Sequence, residues 1–332
     1  MGLKKLFLRM ATIGLGIGLM TSAALAANLR VLAWDGYADP DWVKDFTAAT
    51  GIGVDVVFIG SDDEIWAKIK GSEGQDFDVF AVNTAQLQRY IKADLVSPID
   101  ITKLPNQKEV LPRFRDVSQV SGDTKDGKVY GIPFCFDSIG LIYDTDKVKP
   151  APTSMSVLWD PAYKGKVLAY DNGEHNFSFT ALTLGYKDPF NLNEEQMAAV
   201  KAKLVELKRN VLSFYTTADE AQQIYQNNGQ QQVKALQKIG AHVAYVNPSE
   251  GALAWLDNWV ISKGVRDNAA AEKWIDFMLT KKVSGELSER TGFGNTVVES
   301  SSAGGNDKLV WLNNVEDPLK RSDLWNEIKA TP

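Results

Sequence analysis

The sequence predicts an α/β protein in two domains, each built on a mainly parallel sheet with helices on both faces. Two observations carry that expectation. Short apolar runs alternate with amphipathic stretches along most of the chain. This is the pattern of strands buried on both faces and of the helices that cover them. About 306 of the 332 residues remain once an N-terminal leader is set aside, a length that favours two cores over one.

The leader is residues 1–26, MGLKKLFLRMATIGLGIGLMTSAALA. Lys4, Lys5 and Arg9 form a positive start, Met10 to Met20 is apolar, and Ala24-Leu25-Ala26 fits a small-x-small cleavage site. That is the layout of a secretory signal peptide and not of a membrane span. Export with cleavage after Ala26 is expected. The residue after that point is Ala27 and not a Cys that could carry a lipid, and no later run is long and apolar enough to cross a bilayer.

Strands are expected at Leu29–Trp34, Gly53–Ile59 and Phe77–Asn83, with helices at Asp41–Thr50, Asp62–Lys70 and Thr84–Ala93 between them. A second series starts near Ser138. It holds the apolar runs SIGLIYD, KVLAYD, VLSFY and HVAYVNP, and a charged helix at Asn193–Lys208. LAWLDNWVIS then reads as a buried strand, followed by an amphipathic helix at Asn268–Leu279. Trp311 and Trp325 lie at amphipathic spacing in a C-terminal segment expected to pack on one of the domains.

Composition excludes several classes. The leader holds three of the 36 basic residues and none of the 42 acidic ones, so the remaining chain carries a net charge of −9. Nucleic acid needs a clustered basic surface, and none is present. The single Cys, Cys135 in GIPFCF, cannot form an internal disulfide and reads as a buried, inert thiol. With only His175 and His242 as imidazoles, neither a multi-His metal centre nor a cofactor site is expected.

In an open α/β sheet, ligands bind beyond the carboxyl ends of the strands. The first strand ends in Trp34-Asp35-Gly36-Tyr37, the third in Asn83-Thr84, and KVLAYD runs on into Asp171-Asn172-Gly173-Glu174-His175. LAWLDNWVIS contributes Trp255 and Asp257. Converging, these groups would make a box for a cation, with rings for cation–π contact and carboxylates for charge-assisted hydrogen bonds. Each ring would contribute ~1–2 kcal/mol when desolvated, and each hydrogen bond to a charged group roughly 1.5–3 kcal/mol. Together they suffice for the ~8 kcal/mol of micromolar binding. The same residue types also serve as core edges and helix caps.

The stretches LRVLAWDGYADPDWVKDFTAATGIGV, FDVFAVNTAQL, DGKVYGIPFCFDSIGLIYDTDKV, SVLWDPAYKGKVLAYD, WLDNWVIS and AAAEKWIDFML resemble the periplasmic substrate-binding proteins of ABC importers, in their spermidine/putrescine-binding branch. The resemblance implies a two-lobed, type II-like α/β fold hinged by crossing strands, with ligand in the cleft and closure by hinge motion. It implies a periplasmic location, a membrane permease as partner, no membrane insertion after processing and a monomeric state. By this reading the first lobe takes residues 27–136 and 258–300, the second lobe 137–257, and residues 301–332 form a C-terminal helical segment. The second lobe is expected to lack one strand near 228–230, where IYQNNGQQQVKALQ passes from helix to helix.

Carried over by position, the resemblance implies ligand contacts from Trp34, Asp35, Tyr37, Asn83, Asp137, Asp171, Asn172, His175, Trp255, Asp257 and Phe293. Trp34, Tyr37, Trp255 and Asp257 keep the family pattern. Phe293 stands where a Tyr is expected, Asn83 replaces a Ser, Ala85 replaces an aromatic, and Phe136-Asp137 stands where Trp-Gly is usual. Asn172 and His175 occupy positions that are acidic in polyamine binders. A small amine such as putrescine or spermidine is therefore the expected ligand. A zwitterion such as 4-aminobutyrate is the alternative, if the His175 pole receives a carboxylate. Asp171 or Glu174 would restore an acidic pole. An enzyme using Asp35 and Asp257 as an acid/base pair is the weaker reading, because no other catalytic signature accompanies them. A sensor partner that presents bound ligand to a receptor would share the fold.

Overall fold

A computed structural model describes residues 27–215, 236–238, 240–299 and 308–331. The leader and the expected strand loss near 228–230 lie outside the described residues. The chain opens with β1 (Leu29–Trp34), α1 (Pro40–Thr50), β2 (Val54–Ile59), α2 (Asp62–Gly71), β3 (Val79–Asn83) and α3 (Thr84–Lys92). β1 pairs in parallel with β2 and with β3. Each helix begins where the sequence supplies a cap. Asp39, Ser61 and Asn83 accept hydrogen bonds from the first turns of α1, α2 and α3. α1 ends at Gly51 in the left-handed conformation.

Short elements follow: β4 (Val96–Ser97), α4 (Pro112–Arg115), β5 (Thr124–Lys125) and β6 (Lys128–Val129). Then β7 (Gly131–Ile139) leads through Gly140 into β8 (Leu141–Asp144). A side chain at Gly140 would meet the Tyr245 hydroxyl at 2.5 Å and the Val246 carbonyl at 2.6 Å, so only glycine fits at this junction. Beyond it come β9 (Val167–Tyr170), α5 (Gly173–Thr183), α6 (Glu194–Lys208), β10 (Val211–Tyr215) and β11 (Val243–Val246). The return strand β12 (Ala252–Ser262) is followed by α7 (Asn268–Met278), α8 (Lys281–Thr291), β13 (Gly294–Asn295), β14 (Leu309–Trp311) and α9 (Pro318–Ala330).

β12 organises the molecule. Its C-terminal half lies antiparallel to β3, with Asp257 opposite Asn83 and Ile261 opposite Val79. Along its other edge it lies antiparallel to nearly all of β7. Its first three residues pair in parallel with β14. The sheet is therefore mixed, with parallel pairing at β1, β2 and β3 and reversed pairing around β12. Beyond β7 the described strands join in twos, β9 with β10 in parallel and β8 with β11 antiparallel. The C-terminal segment is likewise not wholly helical, because Leu309–Trp311 extends the sheet.

Alternation along the strands divides the cores. Val31, Val79, Trp259 and Ile261 face one side with Trp42, Phe46 and Trp274 from α1 and α7. Leu32, Phe80 and Val260 face the other with Ile65, Ile69 and Tyr90 from α2 and α3. Both faces are covered, which is why these strands read as continuous apolar runs. A separate core joins Phe177, Leu182, Met197, Val200 and Leu204 of α5 and α6 with Trp325 and Ile328 of α9. Cys135 is buried and unpaired by disulfide. His242 is exposed just before β11, beside Asp146 at 2.7 Å.

One buried carboxylate ties the first core at the edge away from the cleft. Asp78 accepts from the Arg30 backbone N–H at 2.8 Å and from its Nη2 at 2.7 Å. It also accepts from the Arg266 backbone N–H at 3.0 Å and from its Nη2 at 2.9 Å. Burial alone would raise its pKa, but these hydrogen bonds outweigh burial and hold it well below the usual carboxylate range. A depressed carboxylate stabilises the fold above its unfolded pKa and loses that contribution as pH falls toward its folded one. Asp78→Asn is expected to lower unfolding free energy by about 3 kcal/mol at pH 7, since it leaves two arginines facing a neutral group. Urea unfolding measures this, and a loss below about 1 kcal/mol would contradict it.

Candidate functional site

The ends of β2 and β3 and the segment after β9 face one another across a cleft of about 420 Å³. From the first body the lining includes Asp62, Asp63, Asn83 and Gln86. From the second it includes Tyr170, Asp171, Glu174 and His175. Trp325 and Lys329 of α9 close one side.

Asn83 ends β3 and caps α3, its Oδ1 accepting from the Gln86 N–H at 2.9 Å. This fixes the amide so that Nδ2 donates, weakly, to Asp62 Oδ1 at 3.4 Å. Asp62 opens α2. Burial, with Glu174 and Asp63 nearby, pushes its carboxyl up to about 7 against the opposing pull of Arg89. Arg89 itself lies flat over Trp66 at 3.5 Å. Glu174 is also raised, chiefly by burial, although Arg321 pulls it down.

Beside this cleft lies an aromatic box. Gly36 takes a positive φ of 83° after β1, which turns the chain so that Tyr37 points back into the sheet. The Tyr37 hydroxyl donates to Asp257 Oδ2 at 2.6 Å. The Phe293 ring stands edge-on to Tyr37 at 6.2 Å and to Trp255 at 5.0 Å. Burial lifts the Asp257 carboxyl to about 7, the Tyr37 hydrogen bond pulls it down, and the charge of Asp62 raises it further. That coupling links the box to the cleft. The Trp34 indole N–H is buried there without a partner among the described residues.

Asp171, Asn172 and His175 also line the cleft, and each has structural work as well. Asp171 accepts from the Trp325 indole N–H at 2.6 Å and from Lys329 Nζ at 2.7 and 2.9 Å. It anchors α9. The Asn172 side chain caps α5 by accepting from the His175 N–H at 2.9 Å. The His175 ring lies against Tyr170, and burial holds its pKa down at about 4. It is neutral at pH 7 and is not the cationic pole that a carboxylate ligand would seek. Asp137 is buried beside β12, where it accepts from the Ser138 N–H at 2.7 Å. Asp35 is exposed and does not line the cleft. The structure therefore does not pair Asp35 with buried Asp257 as an acid and a base.

Asp62, Asp63 and Tyr170 escaped the sequence reading. The signal was present: β2 lies next to β1, so its carboxyl end, continuing into Ser61-Asp62-Asp63, borders the same crevice. Among the described residues, Asp62, Glu174 and Asp257 have no salt-bridge partner. No group of His, Cys, Asp or Glu among them is arranged to hold a metal ion. The arrangement is suited to an organic cation.

Two bodies joined by crossing strands, with a polar cleft at the strand ends, define a solute-binding protein. The sequence profile described as bacterial extracellular solute-binding protein matches residues 41–311, and the chain belongs to that family. It is 28% identical over 297 residues to spermidine/putrescine-binding periplasmic protein 1 of Haemophilus influenzae, covering 85% of this chain and 79% of that one. It is 25% identical over 311 residues to the spermidine/putrescine-binding periplasmic protein of Escherichia coli, covering 90% and 86%. A solved structure described as a putative spermidine/putrescine ABC transporter from Listeria monocytogenes superposes with a TM-score of 0.79. That structure is 23% identical, and the match covers 91% of this chain and 99% of that one. No helix among the described residues is long and apolar enough to cross a membrane.

The raised carboxyls give the ligand-free protein a pH signature. Folded Asp62 and Asp257 take up protons near pH 7, whereas unfolded carboxylates do so near pH 4. Between pH 8 and about 6.5 the folded state gains protons that the unfolded state does not, so stability rises as pH falls. Below about 6.5 His175, whose folded pKa is depressed, acts in the opposite sense. The thermal midpoint without ligand is expected to rise from pH 8 to 6.5, and less so in Asp257→Asn. A midpoint that falls over that interval would contradict the assignment.

Proposed function

We propose that this protein is a periplasmic binding protein that captures a small organic diamine or polyamine, such as putrescine or spermidine, and delivers it to an ABC permease. One observation carries the reading: Asp62 and Glu174 line the cleft between the two bodies, Asp257 lies buried in the aromatic box beside it, and none of the three has a salt-bridge partner among the described residues. Buried carboxylates without a counter-ion are costly, and an ammonium at each would remove the cost.

In this account Asp257, held by Tyr37, grips one ammonium. Trp34, Trp255 and Phe293 pack the methylene chain and offer ring faces to the charge. Glu174 meets the second ammonium from the other lobe, so ligand bridges the two and favours the closed form. The permease then reads that closed form. The relatives' names support the ligand class. Their periplasmic location supports export, with residues 1–26 as the cleaved leader. The protein acts by binding and not by turnover, and as a monomer.

The zwitterion alternative is disfavoured, because His175 is neutral and Lys329, the cation at that end, is engaged by Asp171. Calorimetric titration separates the two. Putrescine or spermidine is expected to bind at micromolar concentration or tighter, and 4-aminobutyrate at least about tenfold more weakly. Tighter binding of 4-aminobutyrate than of either polyamine would overturn the reading.

A further inference from the structure

Asp62 has no place in the pattern of contacts that the sequence suggested, yet it lines the cleft between the two bodies. It lies at the first position of α2, behind Ser61, which caps the helix by accepting from the Glu64 N–H at 3.2 Å. An acidic residue there also favours the helix dipole, and that would be its whole role if it faced solvent. It lines the cleft instead, and its single hydrogen bond is the long contact from Asn83.

We propose that Asp62 sets the charge selectivity of the cleft by receiving a ligand ammonium. This rests on the amine-binding reading above and adds to it a residue and a proton count.

The surroundings of Asp62 are predominantly acidic. Asp63 lies next to it on α2, Glu174 faces it from α5, and Asp257 couples to it from β12. Tyr90 of α3 and Tyr170 of β9 face it too, both with their hydroxyls held protonated by burial and by its charge. Arg89 of α3 is the cation that acts on it, and Arg89 is stacked on Trp66 with no ion pair to Asp62. Further off, Arg321 is committed to Glu316, and Lys329 to Asp171. His175 is neutral. Asp62, Asp63 and Glu174 line the cleft and Asp257 adjoins it, with too little positive charge to keep all of them ionised, and a proton is the cheapest cation in the empty state. An incoming diamine supplies two positive charges and makes that proton redundant. A zwitterion supplies no net charge and leaves it in place. The discrimination between the two follows from Asp62.

The test is calorimetry of the purified protein with putrescine and with 4-aminobutyrate at pH 7, in two buffers of different ionisation enthalpy. For wild type, putrescine binding is expected to release protons, seen as a buffer-dependent enthalpy. Asp62→Asn should release about half a proton fewer, as expected for a group titrating near the working pH. It should weaken putrescine about tenfold to a hundredfold and leave 4-aminobutyrate within about threefold. Asp126→Asn removes the same charge from an exposed turn between β5 and β6, outside the cleft lining, and should change neither the ratio nor the proton count. Asp62→Glu should restore both, and a thermal melt confirms that each variant is folded. If folded Asp62→Asn keeps the wild-type putrescine to 4-aminobutyrate ratio and proton release, the proposal is overturned while amine binding stands. If wild type binds no amine, the functional reading fails and takes this proposal with it.

Discussion

The hydrogen bond from Tyr37 to Asp257 is the contact on which the site depends. It joins the turn after β1 to the middle of β12, residues 220 apart in sequence, at 2.6 Å. β12 is the long strand that borders β3, β7 and β14. A carboxylate in the middle of such a strand is surrounded by apolar neighbours on nearly every side. One hydroxyl satisfies part of its hydrogen-bonding capacity and none of its charge. The rest must come from a proton or from a bound cation. In the proposed function, ligand binding and the packing of the crossing strands then become one problem, because both meet at Asp257.

The same logic explains the division of labour across the cleft. Where the chain needs permanent strength, it gives a carboxylate its full set of partners. Asp78 has two arginines and two backbone N–H groups, and Asp171 has a lysine and an indole. At the proposed binding site the carboxylates have no such counter-ion. Asp62 and Glu174 in the cleft and Asp257 in the box beside it have no salt-bridge partner among the described residues, and they come from three different elements. Rings surround the last of them, as expected for a site that holds an alkyl chain between charged ends. Stability and function therefore draw on the same residue type, separated by what stands next to it.

Much of the fold was legible in the sequence, for identifiable reasons. β1, β3 and β12 are buried on both faces, so they appear as unbroken apolar runs, and the caps Ser61, Asn83 and Asn172 stand where the helices begin. β14 was not legible, because three residues of an edge strand carry no periodicity, and its pairing depends on β12 far upstream. The reversed run of β12 was hidden for the same reason, since strand direction is set by connection and not by local pattern. Strand-end reasoning singled out Tyr37, Asn83 and Asp257 but passed over the end of β2 and so over Asp62. Asp171 lines the cleft, but that its charge is already met by Lys329 could not be read from the sequence. Whether a charge is satisfied is a tertiary property, and it separates Asp171 from Glu174 only three residues later.

The account turns on where positive charge settles in the cleft. The most direct measurement is a crystal structure of the protein with putrescine bound. One ammonium is predicted within about 3 Å of Asp257, and the other within the same distance of Asp62 or Glu174. Trp255 and Phe293 should pack along the chain, and Asp171 should remain on Lys329. A diamine bound outside this cleft, or held with both ammoniums away from these three carboxylates, would contradict the account.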